Sequence, residues 1–482
     1  MIADLKPYPA MKDSGVPWLG KVPEHWEVRR LRNTAEMRVS NVDKHINDGE
    51  VPVRLCNYVD VYKNSRIRHE MPFMRASASL EEIARFRLEY GDVLITKDSE
   101  AWNDIGVPAL VEVPADDLIC GYHLALLRPL IKILLGDYLF RALQSTSLAY
   151  QFHVEANGVT RYGLSHAAIK SVWVPLPSIP EQAAIVRFLD HVDRRIRRYI
   201  RAKQKLIKLL EEQKQAIIHR AVARGLDPSV RLKPSGVEWL GDVPGHWEVH
   251  PAKYFYREVD DRSETGTEEL LSVSHITGVT PRSQKNITMF MAISYVGHKV
   301  CKPGDLVINT MWAWMAALGV ARQTGIVSPS YGVYRPLRPT TLLGAYADLL
   351  LRTKPYVSEY VCRSTGIRSS RLRLYPEQFL RIRIVCPPAN EQRTMLERLS
   401  AETADTEKAI AGAQREISLL REYRTRLIAD VVTGKVDVRE SAARLPEEAR
   451  EPQPPEDIEA AEHAEEFMDA REPGDDNVEA EA

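Results

Sequence analysis

Long apolar runs are missing from this sequence: none reaches the roughly 18 to 20 residues that span a bilayer. The opening "MIADLKPYPAMKDSG" has no basic-then-apolar signal pattern, so a cytosolic protein is expected. Cysteine is scarce. Five scattered residues, with no C-x-x-C pair, support neither a disulfide framework nor a zinc site. No phosphate-binding G-x-x-x-x-G-K-[ST], no G-x-G-x-x-G, no nucleophile elbow and no H-E-x-x-H occurs, and the thirteen His show no metal spacing. Asp92 and Asp305 are the best carboxylate candidates for acid/base work, but each follows a Gly at the start of an apolar run, where a turn role suffices.

What is present is a repeat, which fixes the organisation before anything else is read. "SGVPWLGKVPEHWEV" (Ser14–Val28) returns as "SGVEWLGDVPGHWEV" (Ser235–Val249). "YGDVLITKD" from Tyr90 is matched by "PGDLVINTM" from Pro303, and Arg128-Pro129 by Arg335-Pro336. The stretch from Ala156 to Val186 is matched by that from Ser364 to Leu396, and "LLEEQKQAIIHRAVARGLD" from Leu209 aligns without a gap on "LLREYRTRLIADVVTGKVD" from Leu419. The chain is a tandem duplication, each half a globular part followed by a helical part.

In the globular parts, "DVLIT", "HLALLRP", "SVWVPLP", "DLVIN", "GVYRPL" and "RIRIVCPP" read as short strands, with a helix around Leu134–Tyr150. No Gly or Pro falls between Glu181 and Arg220. Ile185, Val192, Tyr199, Leu206 and Gln213 recur every seven residues, as do Leu189, Ile196, Lys203, Leu210 and Ile217, which predicts a long helix with one seam. Leu399, Ile410, Ile417, Leu420, Leu427 and Val431 keep a similar stripe in the second half. Two such helices are expected to pair with each other; packing of each on its own globular part is the alternative. "PSIPEQ" and "PPANEQ" mark the helix starts, where Glu181 and Glu391 favour the positive end of the dipole. The expected organisation is a lead over 1–13, globular parts over 14–180 and 228–388, helical parts over 181–227 and 389–440, and a tail over 441–482.

Charge is divided unevenly. From Pro446 onward fifteen Asp or Glu face only Arg450 and Arg471, leaving sixty-three Lys and Arg against fifty-one Asp and Glu in the body, about +12. Such a body favours a polyanionic partner. The tail, rich in Pro and Ala, is expected to be disordered and solubilising, with mimicry of phosphates as the alternative. Candidate nucleic-acid contacts lie in four clusters: Lys63, Asn64, Arg66 and Arg68; Asn157, Thr160 and Arg161; Arg282, Gln284, Lys285 and Asn286; and Arg368 with Arg371. Arg and Lys suit guanine edges and phosphates, Asn and Gln adenine edges, though phosphate contacts are the more numerous. For each cluster a solvated charged face is the competing reading.

The duplicated phrases, with "GVTRYGLSHAAIKSVWVPLPSIPEQAAIV" and its counterpart, resemble the specificity subunit of Type I restriction–modification systems over Ser14 to about Asp437. In the second half "GIRSSRLRL" replaces the family's more usual type of phrase, which the first half keeps as "GVTRYGLS", so the resemblance does not extend to the local turn there. The resemblance implies an α+β fold: two mixed target recognition domains separated by two spacer helices in an antiparallel coiled coil. It further implies that the chain is not itself an enzyme and reads a split site on double-stranded DNA. Its implied partners are two methyltransferase (modification) subunits and motor/nuclease (restriction) subunits. S-adenosylmethionine, ATP and magnesium would be used by those partners and none bound by this chain. Trp18, Trp26, Trp239 and Trp247 are then expected as anchors of each opening strand. A stand-alone DNA-modifying enzyme would need the motifs that are absent, and a bare coiled-coil scaffold leaves two basic globular parts without a role.

Overall fold

The structure, a computed structural model, describes residues 5–284, 294–366 and 372–446. They form two compact units, one of residues up to Gln204 together with those from Gln414, the other of Lys205–Ala413. The two long helices, Ile179–Arg224 and Ala389–Val432, each give one half to each unit. In the first unit Asp193 pairs with Arg424 and Lys203 with Glu416 (2.7 Å); in the second, Lys214 pairs with Glu407 (2.6 Å). Partner numbers fall as helix numbers rise, so the helices pair antiparallel.

The seam departs from strict heptads. Ile185, Leu189, Val192 and Ile196 are buried, but Tyr199 is 57% exposed and Leu206 43%, while Ile200 takes the buried place. A straight helix with 3.6 residues per turn drifts about 20° per heptad, so its buried stripe runs ahead of a strict seven-residue count. The expected helix around Leu134–Tyr150 is two helices, Gly136–Leu143 and Thr146–Glu155, because the Ser145 hydroxyl caps the second by accepting from Leu148 N.

The first unit carries a five-stranded sheet in the order Ala35–Val39, Leu124–Pro129, Val93–Thr96, Pro108–Val113, Arg66–Arg68. Only the last pairing is parallel. The second unit repeats the first four places: Tyr256–Val259, Gly332–Pro336, Leu306–Ile308, Leu318–Val320, all antiparallel. Buried Asp92 accepts from Arg128 (Nε 2.8 Å, Nη2 2.7 Å) on the adjacent strand and from Glu89 N (2.8 Å). Asp305 does the same with Arg335 (3.1 and 2.9 Å) and Lys302 N (2.9 Å). The repeated Gly-Asp and Arg-Pro pairs are thus one turn and one ion pair, made twice.

The repeated opening phrase is explained by its partners. Glu27–Arg30 pairs antiparallel with Trp173–Leu176, the strand that leads into the first long helix; Glu248–Pro251 pairs likewise with Arg383–Cys386. Trp26 and Trp247 are fully buried and donate from Nε1 to Glu181 and Glu391, both at 3.1 Å. His25 and His246 meet the other oxygen of the same carboxylates at 3.0 and 2.7 Å. The neighbouring glutamines are used equally closely: Gln182 accepts from Leu135 N and donates to Ile133 O and Pro177 O, and Gln392 does so with Leu343 N, Thr341 O and Pro387 O. The repeated E-Q therefore clamps strand, helix start and loop, beyond the dipole role expected of it. Of the other two tryptophans, Trp239 packs against the core of the second unit, as expected of it, and Trp18 is exposed. Trp18 sits in a hairpin loop, 40% exposed, and Trp239 lies half-buried edge-on to Tyr356.

The chain ends of the first unit meet. Asp437 N donates to Lys6 O (2.8 Å), the Tyr8 hydroxyl donates to Glu181 (2.7 Å), and Met11–Asp13 pairs with Lys21–Pro23. In the second unit the same place is filled by unbroken chain, and Leu232–Pro234 pairs with Asp242–Pro244. A short helix, Arg439–Ala443, carries the first residues of the expected tail, with Ala442 and Leu445 buried. The tail from Glu447 lies outside the described residues.

Candidate nucleic-acid interface

In the first unit the chain leaves the sheet at Lys97, directly after the shared strand Val93–Thr96. Asp98–Ser99 then pairs antiparallel with Tyr162–Gly163, and Leu164 N donates to Lys97 O (2.9 Å). Two loops distant in sequence are thereby clasped. Asn157 and Gly163 exchange both backbone hydrogen bonds (3.1 and 2.9 Å), closing a narrow turn. A Cβ at Gly158 would lie 1.9 Å from Arg161 O, so the turn requires glycine there. Val159, Thr160 and Arg161 stand exposed at its tip, Val159 at 92%.

Aromatic rings lie on segments of the same unit. Tyr58 and Tyr62 stack at 5.6 Å on the short helix Tyr58–Lys63, and the Tyr62 hydroxyl donates to Asp104 (2.7 Å). Burial and the Asp104 carboxylate raise the Tyr62 hydroxyl above its ordinary value, so it remains a donor. Trp102, half exposed, rests edge-on against His153. His123, at a left-handed φ of 70°, meets Asp98 at 2.6 Å. Lys63 is exposed at the end of the short helix, and Asn64 closes that helix by donating to Asp60 O (2.9 Å). Exposed rings, a guanidinium and carboxylates on one rigid frame offer the groups that read base edges: Arg for guanine, carboxylate for the cytosine amine.

Arg66 and Arg68 do not join this surface. The sequence YKNSRIRHE divides at Ser65 into a helix and a sheet-edge strand. Arg66, 10% exposed, lies among Glu112 (3.7 Å), Asp137 (3.6 Å) and Asp190 (3.3 Å) with its guanidinium over Phe140. Arg68 Nε donates to Glu112 at 2.6 Å. Three carboxylates from other elements surround Arg66, and one of them also meets Arg68.

The second unit builds the corresponding clasp. Leu374 N donates to Thr310 O (2.8 Å), Thr365 and Arg373 exchange backbone bonds (3.0 and 2.9 Å), and Arg373 Nη2 reaches Met311 Sδ (3.2 Å). Trp312 and Trp314 stand half-buried in the loop after the central strand, with Trp314 Nε1 donating to Met311 O (2.8 Å). Arg368 and Arg371 fall between the clasped ends, outside the described residues. Gln284 is exposed, Arg282 half-buried with its N–H donated to Leu270 O (2.8 Å), and Lys285 and Asn286 again lie outside the described residues.

The loops after the central strands were missed by charge-based reading, although a signal existed. "KDSEAWNDI" and "TMWAWMAAL" each lie between a shared Gly-Asp strand and a shared Gly-Val, yet they differ almost completely. Unlike residues on a like frame, with tryptophan in both, are a feature of the sequence that a count of cations does not register.

Among the described residues no group of His, Cys, Asp and Glu could hold a metal ion, and no helix is long and apolar enough to cross a membrane. Residues 23–209 match the Type I restriction modification DNA specificity domain. A putative type I restriction enzyme specificity subunit, MjaX of Methanocaldococcus jannaschii, is 25% identical over 232 residues, 48% of this chain and 52% of the relative. The chain thus spans about half the length of that curated relative. Among solved structures, a chain from work on complex assembly and conformational transition of the type I R-M system superposes with a TM-score of 0.56 at 15% identity, covering 85% of this chain and 98% of that one. The HsdS subunit from Thermoanaerobacter tengcongensis gives 0.40 at 16%, covering 86% and 98%.

Proposed function

We propose that this chain, which belongs to the type I restriction–modification specificity subunits, selects a split site on double-stranded DNA, each unit reading one half-site. The observation that carries this reading is the paired clasp. The same strand order and the same Asp–Arg turn support, in each unit, two joined loops whose residues differ between the units. Recognition by loops on a rigid frame lets sequence preference change without disturbing the core.

In this account Arg161, Asn157, Thr160, Lys63 and the ring of Trp102 contact DNA in the first unit. Gln284, Arg282, Lys285, Asn286, Arg368 and Arg371 contribute in the second, beside Trp312. The chain supplies the address. Modification subunits using S-adenosylmethionine would carry out methylation, and restriction subunits using ATP and magnesium would carry out translocation and cleavage.

The test is to express the chain with its modification subunits in a methylation-free host and map methylated positions by single-molecule sequencing. A motif of two short unlike parts separated by unread base pairs is expected. A single uninterrupted motif would overturn the reading.

A further inference from the structure

Along the first long helix, within the first unit, the three carboxylates are spoken for: Glu181 is held by Tyr8, His25 and Trp26. Asp190 faces Arg66 and Arg141, and Asp193 faces Arg141, Arg197 and Arg424. On the side away from the buried seam, Arg195, Arg198 and Arg201 follow at three-residue spacing and are all exposed, so neighbouring guanidiniums lie side by side. Arg187 lies eleven residues before Arg198, about three turns, and so on the same side. It is exposed and donates from Nη2 to Leu445 O (2.5 Å) and Pro446 O (3.3 Å). The chain thus passes into its acidic segment while held to the end of an arginine stripe. That segment, 447–482, carries fifteen Asp or Glu against Arg450 and Arg471. From Arg187 to Arg201 is about 21 Å at roughly 1.5 Å per residue, which a few extended residues of about 3.3 Å each cover.

We infer that the acidic segment 447–482 covers the stripe Arg187, Arg195, Arg198 and Arg201 and keeps polyanions off it. Four clustered cations without cover would bind phosphates of any sequence, a contact that adds affinity but no discrimination. An acidic segment tethered at the stripe competes at high effective concentration, yet yields nothing to the loops that read bases. The segment acts as an internal counterweight to non-specific binding. The inference concerns the helix stripe and random-sequence DNA, so it stands or falls independently of half-site reading.

The experiment measures binding of a random-sequence duplex across a salt titration. It compares the full chain, a chain ending at Pro446, and each of these with Arg195→Gln, Arg198→Gln and Arg201→Gln together. A full-length chain with the Asp and Glu of 447–482 changed to Asn and Gln replaces the shortened one if that fails to fold. Ending the chain at Pro446 is expected to tighten binding on the order of tenfold at low salt and to steepen the salt slope by about 0.9 for each of Arg195, Arg198 and Arg201, near three in all. The triple substitution is expected to cancel that gain in the shortened chain and to change little in the full one. No gain on shortening would overturn the inference. So would a gain that survives the triple substitution, since the segment would then act through its overall field, or an equal loss in the full chain, since the stripe would then be open.

Discussion

The indole Nε1 of Trp26 donates to Oε1 of Glu181 at 3.1 Å, tying the opening strand to the first turn of a long helix 155 residues later. Trp247 and Glu391 repeat the bond at the same distance. Because each tryptophan is fully buried, its N–H needs a partner, and each glutamate, in the first turn of its helix, supplies the acceptor. That bond, with the histidine on the other carboxylate oxygen and the bonds of the neighbouring glutamine, accounts for the most distinctive shared words of the sequence, H-W and E-Q.

Replacing either tryptophan by Phe, Trp26→Phe or Trp247→Phe, keeps most of the apolar area and removes the bond to a charged acceptor. A loss of about 1.5 to 3 kcal/mol is expected, read as a shift in urea midpoint, with the methylated sequence unchanged. A changed sequence would place the tryptophans in recognition rather than in the frame.

The turn pairs are more sensitive. Asp92 is 1% exposed, and Arg128→Leu would leave its carboxylate buried without its guanidinium. Breaking such a pair costs about 3 to 5 kcal/mol, so the variant should unfold at much lower denaturant. Asp92→Asn with Arg128→Leu together should recover part of the loss.

Much of this frame was legible in the sequence. The six short strands, the two long helices and the duplication follow from turn residues and periodicity, which are local properties. The carboxylates around Arg66 were not legible, because Glu112, Asp137 and Asp190 come from three distant elements and no spacing rule brings them together. Tyr199 and Leu206 were misplaced because a seven-residue count tracks a supercoiled seam and this stripe follows the straight-helix period. Charge does not set the clasped loops apart; difference within a shared frame does.

Acid should loosen the first unit through Asp193. Burial pushes its carboxyl up, but the guanidiniums of Arg141, Arg424 and Arg197 outweigh burial and hold it well below the usual carboxylate range. A folded-state value below the unfolded one means the stabilisation is complete above the ordinary carboxylate value of about 3.9 and is withdrawn as pH falls from there toward the folded value. Asp193→Asn should lower the melting temperature at pH 7 and flatten its decline below pH 4. An unchanged pH profile in that variant would remove Asp193 from the account.

Arg161 and Arg66 should behave oppositely. Arg161→Ala is expected to relax preference at one position of one half-site, worth about 1 to 3 kcal/mol, with unfolding unchanged. Arg66→Ala should destabilise the first unit and leave preference intact in whatever protein remains folded. Competition binding with single-base variants of the site, alongside thermal melts, separates the two.

The most direct test of two independent readers is an exchange of residues 14–176 for the matching segment of a related chain with a different target, followed by methylation mapping in cells that supply the modification subunits. The account predicts that one half of the methylated motif changes to the donor's and the other half stays as it was. A change in both halves, or in neither, would contradict it.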